Sequence, residues 1–237
     1  MENKNYLIIG GTTGIGRKIV ERLSNSGDKI YVGSRSGEPG NSMSNVSHFQ
    51  LDVTQMGNFP TDVLPESLQG LVYCPGTIRL QPFKRLTTDD FADDFNINLL
   101  GAVRSIKTYS PFLQKSPVGG TIILFSTVAV RIGMAYHTSI SSAKGAIEGF
   151  ARSLAAEFAP RIRVNVIAPS LTNTPLARQL LSTEQKREAS SQRHPLKRVG
   201  RPEEIAELAT LLLGENGSWI TGQTFQVDGG ISSIKML

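Results

Sequence analysis

The chain has 237 residues, 39% of them hydrophobic, and a net charge of +5. That length suits a single domain, 1–237, with one substantial core, and no apolar run nears the ~18 residues of a membrane span, so no membrane partner is expected. One cysteine, Cys74, excludes an internal disulfide framework, and the polar start Met1-Glu2-Asn3-Lys4-Asn5 lacks the pattern of a secretory leader, so a reducing, cytoplasmic setting is expected.

Tyr6-Leu7-Ile8-Ile9 reads as a short buried strand, followed at once by Gly10-Gly11-Thr12-Thr13-Gly14-Ile15-Gly16 and then by Arg17 to Leu23 at helical spacing. Strand, glycine turn and helix in that order make a phosphate cradle. The glycines let the backbone turn tightly and approach a pyrophosphate, whose charge meets free amides at the helix start. A dinucleotide is the expected guest. Further strands are predicted at Lys29 to Ser34, Ser47 to Gln50 and Gly70 to Cys74, where Cys74 reads as a small buried hydrophobe rather than a reactive thiol. Between them, Ser36 to Asn45 is rich in Gly and Ser, and in Gln55 to Pro65 the residues Gly57, Pro60 and Pro65 leave room only for a reduced helix.

Phe91, Phe95, Leu99, Ala102 and Ile106 recur at helical spacing, as do Ile147, Phe150, Leu154 and Phe158. Strands at Thr121 to Ser126, Arg163 to Ala168 and Thr224 to Val227 complete the alternation, and the central ones show no polar alternation, as parallel strands covered on both faces require. The expected fold is an α/β, Rossmann-type doubly wound parallel sheet flanked by helices. Leu171 to Arg193 is the least regular part of the second half. Arg178 to Arg201 holds seven basic residues (Arg178, Lys186, Arg187, Arg193, Lys197, Arg198, Arg201) against two acids, Glu184 and Glu188. A solvated face is the default reading, and a rim attracting an anionic substrate or acyl carrier is the functional one. Without interleaved aromatics or a motif, the run does not point to nucleic acid.

The glycine turn, Asn98-Leu99-Leu100-Gly101, Ser126-Thr127-Val128, Lys144, and Ile167-Ala168-Pro169-Ser170 ahead of Thr174 together resemble the short-chain dehydrogenase/reductase family. Arg198 to Ala206 and Ile220 to Gly230 look most like its 3-oxoacyl-(acyl-carrier-protein) reductase branch. The resemblance covers nearly the whole chain and implies an oxidoreductase with a nicotinamide cofactor, acting on a small-molecule or acyl-thioester substrate. It implies cofactor contacts at Gly10, Thr12, Gly14, Ile15, Gly16, Asp52, Val53, Gly76, Lys144, Pro169 and Thr174. Ser34 and Arg35 stand where the family selects its cofactor; an uncharged residue followed by a guanidinium points to the 2′-phosphate of NADP, unless Arg35 is a surface arginine touching nothing. No metal ligand is implied. A homodimer or homotetramer is implied too, paired through helices spanning roughly Asp89 to Tyr109 and Ser141 to Phe158.

The family's proton donor is a tyrosine one helical turn before the lysine, whose ammonium lowers the phenol's pKa. Counting back four from Lys144 reaches Ile140, and counting forward 13 from Thr127 reaches Ile140 again. An alkyl group stands where the resemblance expects a hydroxyl. Lys144, Asn98, which in the family anchors a water chain to the lysine, and Thr127, which keeps a hydroxyl in place of a serine, match the remaining catalytic positions. Tyr73-Cys74-Pro75-Gly76 departs from the family's Asn-Asn-Ala-Gly. His137 and Tyr136, seven and eight residues before Lys144, and ordered water are the candidate replacements for the donor. Two functions follow: reduction of a carbonyl or activated double bond with a non-standard donor, or a catalytically impaired NADP-binding protein acting as sensor or oligomer partner.

Overall fold

The computed structural model describes residues 3–36, 43–57 and 59–235. Its frame is a parallel seven-stranded sheet in the order β3-β2-β1-β4-β5-β6-β7. The strands are β1 Asn5–Ile9, β2 Lys29–Ser34, β3 Val46–Gln50, β4 Gly70–Tyr73, β5 Gly120–Phe125, β6 Ile162–Pro169 and β7 Thr224–Val227. Among the described residues seven α-helices surround it: α1 Gly14–Asn25, α2 Thr88–Phe95, α3 Gly101–Gln114, α4 Ala129–Ile132, α5 Thr138–Phe158, α6 Glu184–Arg193 and α7 Pro202–Leu213. This is the expected doubly wound fold. The order in which strands are added reverses between β1 and β4, and the ends of those strands open the cleft where such sheets take ligands.

Alternation along the strands builds a core on each face. Leu7 and Ile9 of β1 join Leu71, Ile122, Leu124 and Val164 against Ala102, Ile106 and Leu113 of α3 and Ile147 and Leu154 of α5. On the other face, Ile8, Ile30, Val32, Val72 and Ile123 meet Ile19 and Leu23 of α1 and Ile205, Ala209 and Leu212 of α7. Both faces are covered, which explains why the central strands carry no polar alternation.

Several expectations need correction. No helix forms between β3 and β4 among the described residues, because Gly57 turns with φ +84° and the chain from Phe59 lies against α3 instead. Tyr109 Oη donates to Pro60 O at 3.2 Å there, and the Phe59 and Tyr109 rings are 6.2 Å apart. Of the irregular stretch Ser36 to Asn45, residues 37–42 lie outside the described part. Cys74 sits just past the end of β4, still bonded through its amide to Ile9 O at 2.9 Å. The segment Leu171 to Arg193 is regular after all: Pro175–Leu181 forms a 3₁₀ helix with proline in its first turn, and Thr183 caps α6 by accepting from Lys186 N at 3.2 Å. The long helix expected over Asp89 to Tyr109 is two helices joined by a π turn, Asn96–Leu100. Tyr73 Oη donates to Ile97 O at 2.5 Å inside that turn, diverting a carbonyl from the regular ladder. Elsewhere, the one tryptophan, Trp219, is 99% exposed just ahead of β7.

Candidate active site

At the carboxyl ends of the strands lies a cleft of about 1050 Å³. The glycine turn forms one end. Gly10 and Gly14 have φ of +78° and +55°, where other residues are strained, and a Cβ on Gly16 would lie 2.3 Å from Gly10 O. Only glycine lets α1 start that close to the strand. The helix start carries no side-chain cap and no acid in its first turn, so its positive end is uncompensated by the protein. Thr12, Ile15, Ser34, Arg35, Asp52 and Val53 line the same end. Ser34 is buried at the end of β2 while Arg35 is exposed. Asp52 Oδ1 accepts from Thr54 N at 2.9 Å and Thr54 Oγ1 at 2.7 Å; these bonds, with the charge of Arg35 adding to them, hold its carboxyl below the usual range. This end fits a dinucleotide: tight glycines, an uncapped helix start, a carboxylate and an exposed guanidinium share one wall.

The other end gathers side chains from β4, β5, β6 and α5. Lys144 is buried, and its Nζ donates to Phe125 O at 2.9 Å. Loss of water pushes its ammonium down to about 8, against smaller opposing pulls from Cys74 and Asp94. Burial lifts the Cys74 thiol to about 12, consistent with an inert residue. Gly76 forms the cleft floor: a Cβ there would lie 3.2 Å from Asn98 Oδ1 and 3.4 Å from Lys144 Nζ. Asn98 is therefore behind the floor rather than on the cleft surface, and its Oδ1 has no hydrogen-bond partner. Thr127 Oγ1 accepts from Ala129 N at 3.3 Å, leaving its own proton to give. Pro169 O accepts from Val128 N at 3.3 Å, and Thr174 closes over the glycine turn, its Cβ 3.4 Å from where a Gly14 Cβ would stand.

Ile140 lines this end and is 5% exposed. It puts methyl groups in the wall and no proton. His137 also lines the cleft, with Nδ1 held by Ala135 O at 2.7 Å, whereas Tyr136 is outside the lining, 58% exposed with φ +69°. Of the two side-chain candidates, the structure brings only the imidazole to the site. The basic run contributes less than its composition suggests. Arg193 lines the cleft, but Arg198 forks onto Glu204 at 2.6 and 2.8 Å and Arg201 reaches the same carboxylate at 3.3 Å.

Two groupings escaped the sequence. Ser170 Oγ and His194 Nε2 are 2.8 Å apart in the cleft, and His194 Nδ1 lies 2.8 Å from Ser190 O, an acceptor to which the ring must donate. Asp94, Ser139 and Asn98, buried behind the floor, and the half-buried Thr77, which lines the cleft, form one hydrogen-bonded cluster. Only a periodicity check could have flagged Asp94: it sits among the apolar positions of its helix yet is fully buried.

A family model described as enoyl-(acyl carrier protein) reductase matches residues 10–232. The chain is 35% identical over 249 residues to a tropinone reductase homolog, At2g29340 of Arabidopsis thaliana, covering 98% of this chain and 80% of that one. It is 29% identical over 246 residues to the 3-oxoacyl-[acyl-carrier-protein] reductase FabG of Thermotoga maritima, covering 98% of each. Among solved structures it is similar to ElxO with NADP bound, with a TM-score of 0.84 and 26% identity over 98% of this chain and 100% of that one.

Proposed function

The chain belongs to the short-chain dehydrogenase/reductase family, near the FabG-like branch, and is an oxidoreductase; from that premise we propose that it is an NADP-dependent reductase of a carbonyl or activated double bond with a non-standard proton donor. The observation that carries this reading is a single cleft joining an uncapped helix start, an exposed Arg35 and a buried Lys144, with Ile140 in the wall one turn from the lysine.

In this reading Gly10, Thr12, Gly14, Ile15 and Gly16 hold the pyrophosphate, and Arg35 forks onto the 2′-phosphate beside uncharged Ser34. Asp52 and Val53 meet the adenine, Gly76 lets the backbone approach, Lys144 holds ribose hydroxyls, and Pro169 and Thr174 frame the nicotinamide. The bound dinucleotide supplies a hydride. The chain's part is to orient the acceptor oxygen, through Thr127 Oγ1, and to deliver a proton to it from His137 or from water beside Lys144 and Asn98. Substrates with an anionic or acyl-thioester tail suit Arg193 at the rim. The half-buried Phe91, Phe95 and Phe150 on α2 and α5 support homodimer or homotetramer formation through those helices, in a cytoplasmic enzyme.

The test is purified protein with NADPH and a panel of ketones, 3-oxoacyl thioesters and enoyl thioesters. Losing a general acid typically costs a factor of ~10² to 10⁴, so slow but measurable consumption is expected. Ile140 favours one rival, an NADP-binding protein without turnover, and NADPH binding with no consumption above background would decide for it.

A further inference from the structure

The cluster behind Gly76 contains a carboxylate that the reading above does not use. Asp94 lies in the last turn of α2 and is fully buried, yet hydroxyls rather than a cation meet its oxygens: Thr77 Oγ1 donates to Oδ1 at 2.6 Å and Ser139 Oγ to Oδ2 at 2.6 Å. Burying such a group is costly and calls for a reason. Its direction of bonding supplies one. An ionised carboxylate only accepts, so Thr77 commits its single proton to Asp94 and can do no more than accept from Asn98. Asn98 Nδ2 fills that role at 2.9 Å and gives its second hydrogen to Asp94 O at 2.8 Å. With both amide hydrogens committed, Oδ1 must face away. It does, buried and unpartnered, against the floor at Gly76, with Lys144 Nζ beside the same point.

We propose that Asp94 is a positioning residue of the active site: an acceptor-only anchor that, through Thr77, turns the Asn98 carbonyl oxygen toward Lys144 and supplies the counter-charge to that buried ammonium. The inference rests on the reading of Lys144 and Asn98 as parts of a reductase site. Through Ser139 the same carboxylate grips α5 one residue before Ile140, so the wall that lacks a phenol and the floor that carries the lysine share one fixed point. The charges around the pair are few. Cys74 and Asp94 are the groups whose charge acts on Lys144; on α2, Asp90 and Asp93 both turn to Arg79, and on α5 Glu148 accepts from Ser126 Oγ at 2.6 Å. Removing the charge of Asp94 therefore leaves Lys144 without a nearby carboxylate already pointed at it.

Two readouts on ligand-free protein test this. In protein labelled with [ε-¹³C]lysine, the Lys144 resonance, assigned by its loss in Lys144→Met, reports the midpoint of its titration. Asp94→Asn is expected to lower that midpoint by about half a pH unit or more, since a nearby opposite charge favours the charged form. Thr77→Val leaves the charge but cuts the link to Asn98; hydrogen exchange at the Asn98 side-chain amide is expected to quicken ~10-fold or more as one of its bonds is lost, and Thr77→Ser to restore it. An unmoved Lys144 midpoint in Asp94→Asn overturns the proposal, because a carboxylate that merely ties α2 to α5 would give that result. Unchanged exchange in Thr77→Val overturns it equally, and this second variant decides if Asp94→Asn does not fold. Neither readout needs NADPH, so a wild-type protein that consumes none defeats the functional reading alone.

Discussion

The two ends of the cleft are built by different means. The glycine end is shaped by the backbone: turns with positive φ, an uncapped helix start and a contact distance that admits no Cβ at Gly16. At the lysine end distant side chains converge, with Asn98 from the π turn, Lys144 from α5, Thr127 after β5 and Pro169 from β6. Backbone function tolerates few residue types and so leaves a local signature. Side-chain function can be altered one residue at a time, and in the proposed reading Ile140 is the one position of the lysine end without a proton to give.

Substitutions at the two ends should therefore differ in kind. The largest effect is expected from Ile140→Tyr, which introduces a phenol one turn from Lys144: a gain of ~10² to 10⁴ in carbonyl reduction, followed as NADPH absorbance with the ketone panel. No gain would mean the lysine end has been rebuilt beyond the donor. Gly16→Ala drives a methyl into Gly10 O, and strain of about 3 kcal/mol is expected. Calorimetry should show a lowered Tm, and NADPH titration followed by its own fluorescence should show binding lost; normal values for both would show that the glycine end is not a backbone device. Arg35→Ala should weaken NADPH ~10- to 100-fold while hardly touching NADH, as loss of a charged fork predicts. Equal losses for both cofactors would remove the phosphate contact.

Smallest is a stability effect at Lys144. Its folded value of about 8 lies below the ordinary 10.5, so above about 8 the unfolded chain holds more protons and this residue's contribution to stability rises with pH until 10.5. Below about 8 the buried charge costs the fold up to ~3 kcal/mol. Lys144→Met should accordingly raise stability in urea at pH 7 by about 1 to 3 kcal/mol, with the gain shrinking by pH 10, while NADPH binding weakens. A destabilised variant at pH 7 would show that the Phe125 carbonyl bond outweighs desolvation.

The same division governs what the sequence discloses. β1, the glycine turn and α1 are contiguous, so spacing alone reveals them, whereas the register that singles out Ile140 comes only from the intervals that the family resemblance implies. The helix expected after β3 fails because packing of Phe59 and Pro60 on Tyr109 outweighs any local preference. The π turn depends on Tyr73, 24 residues away from the carbonyl it holds. Ser170 and His194 are likewise 24 apart, and His194 sits beside charges that suggested solvent rather than a 4% exposed ring. Asp94 breaks the rule that charges lie outside, and the cluster that permits it comes from three separate segments.

Trp219 has an experimental consequence of its own. Since its indole already stands in water in a single folded subunit, its emission should lie near the red limit in the native monomer and shift little when the chain is denatured. A move to shorter wavelength on raising protein concentration would then signal that another surface has closed over that corner, making the residue a reporter of assembly instead of folding.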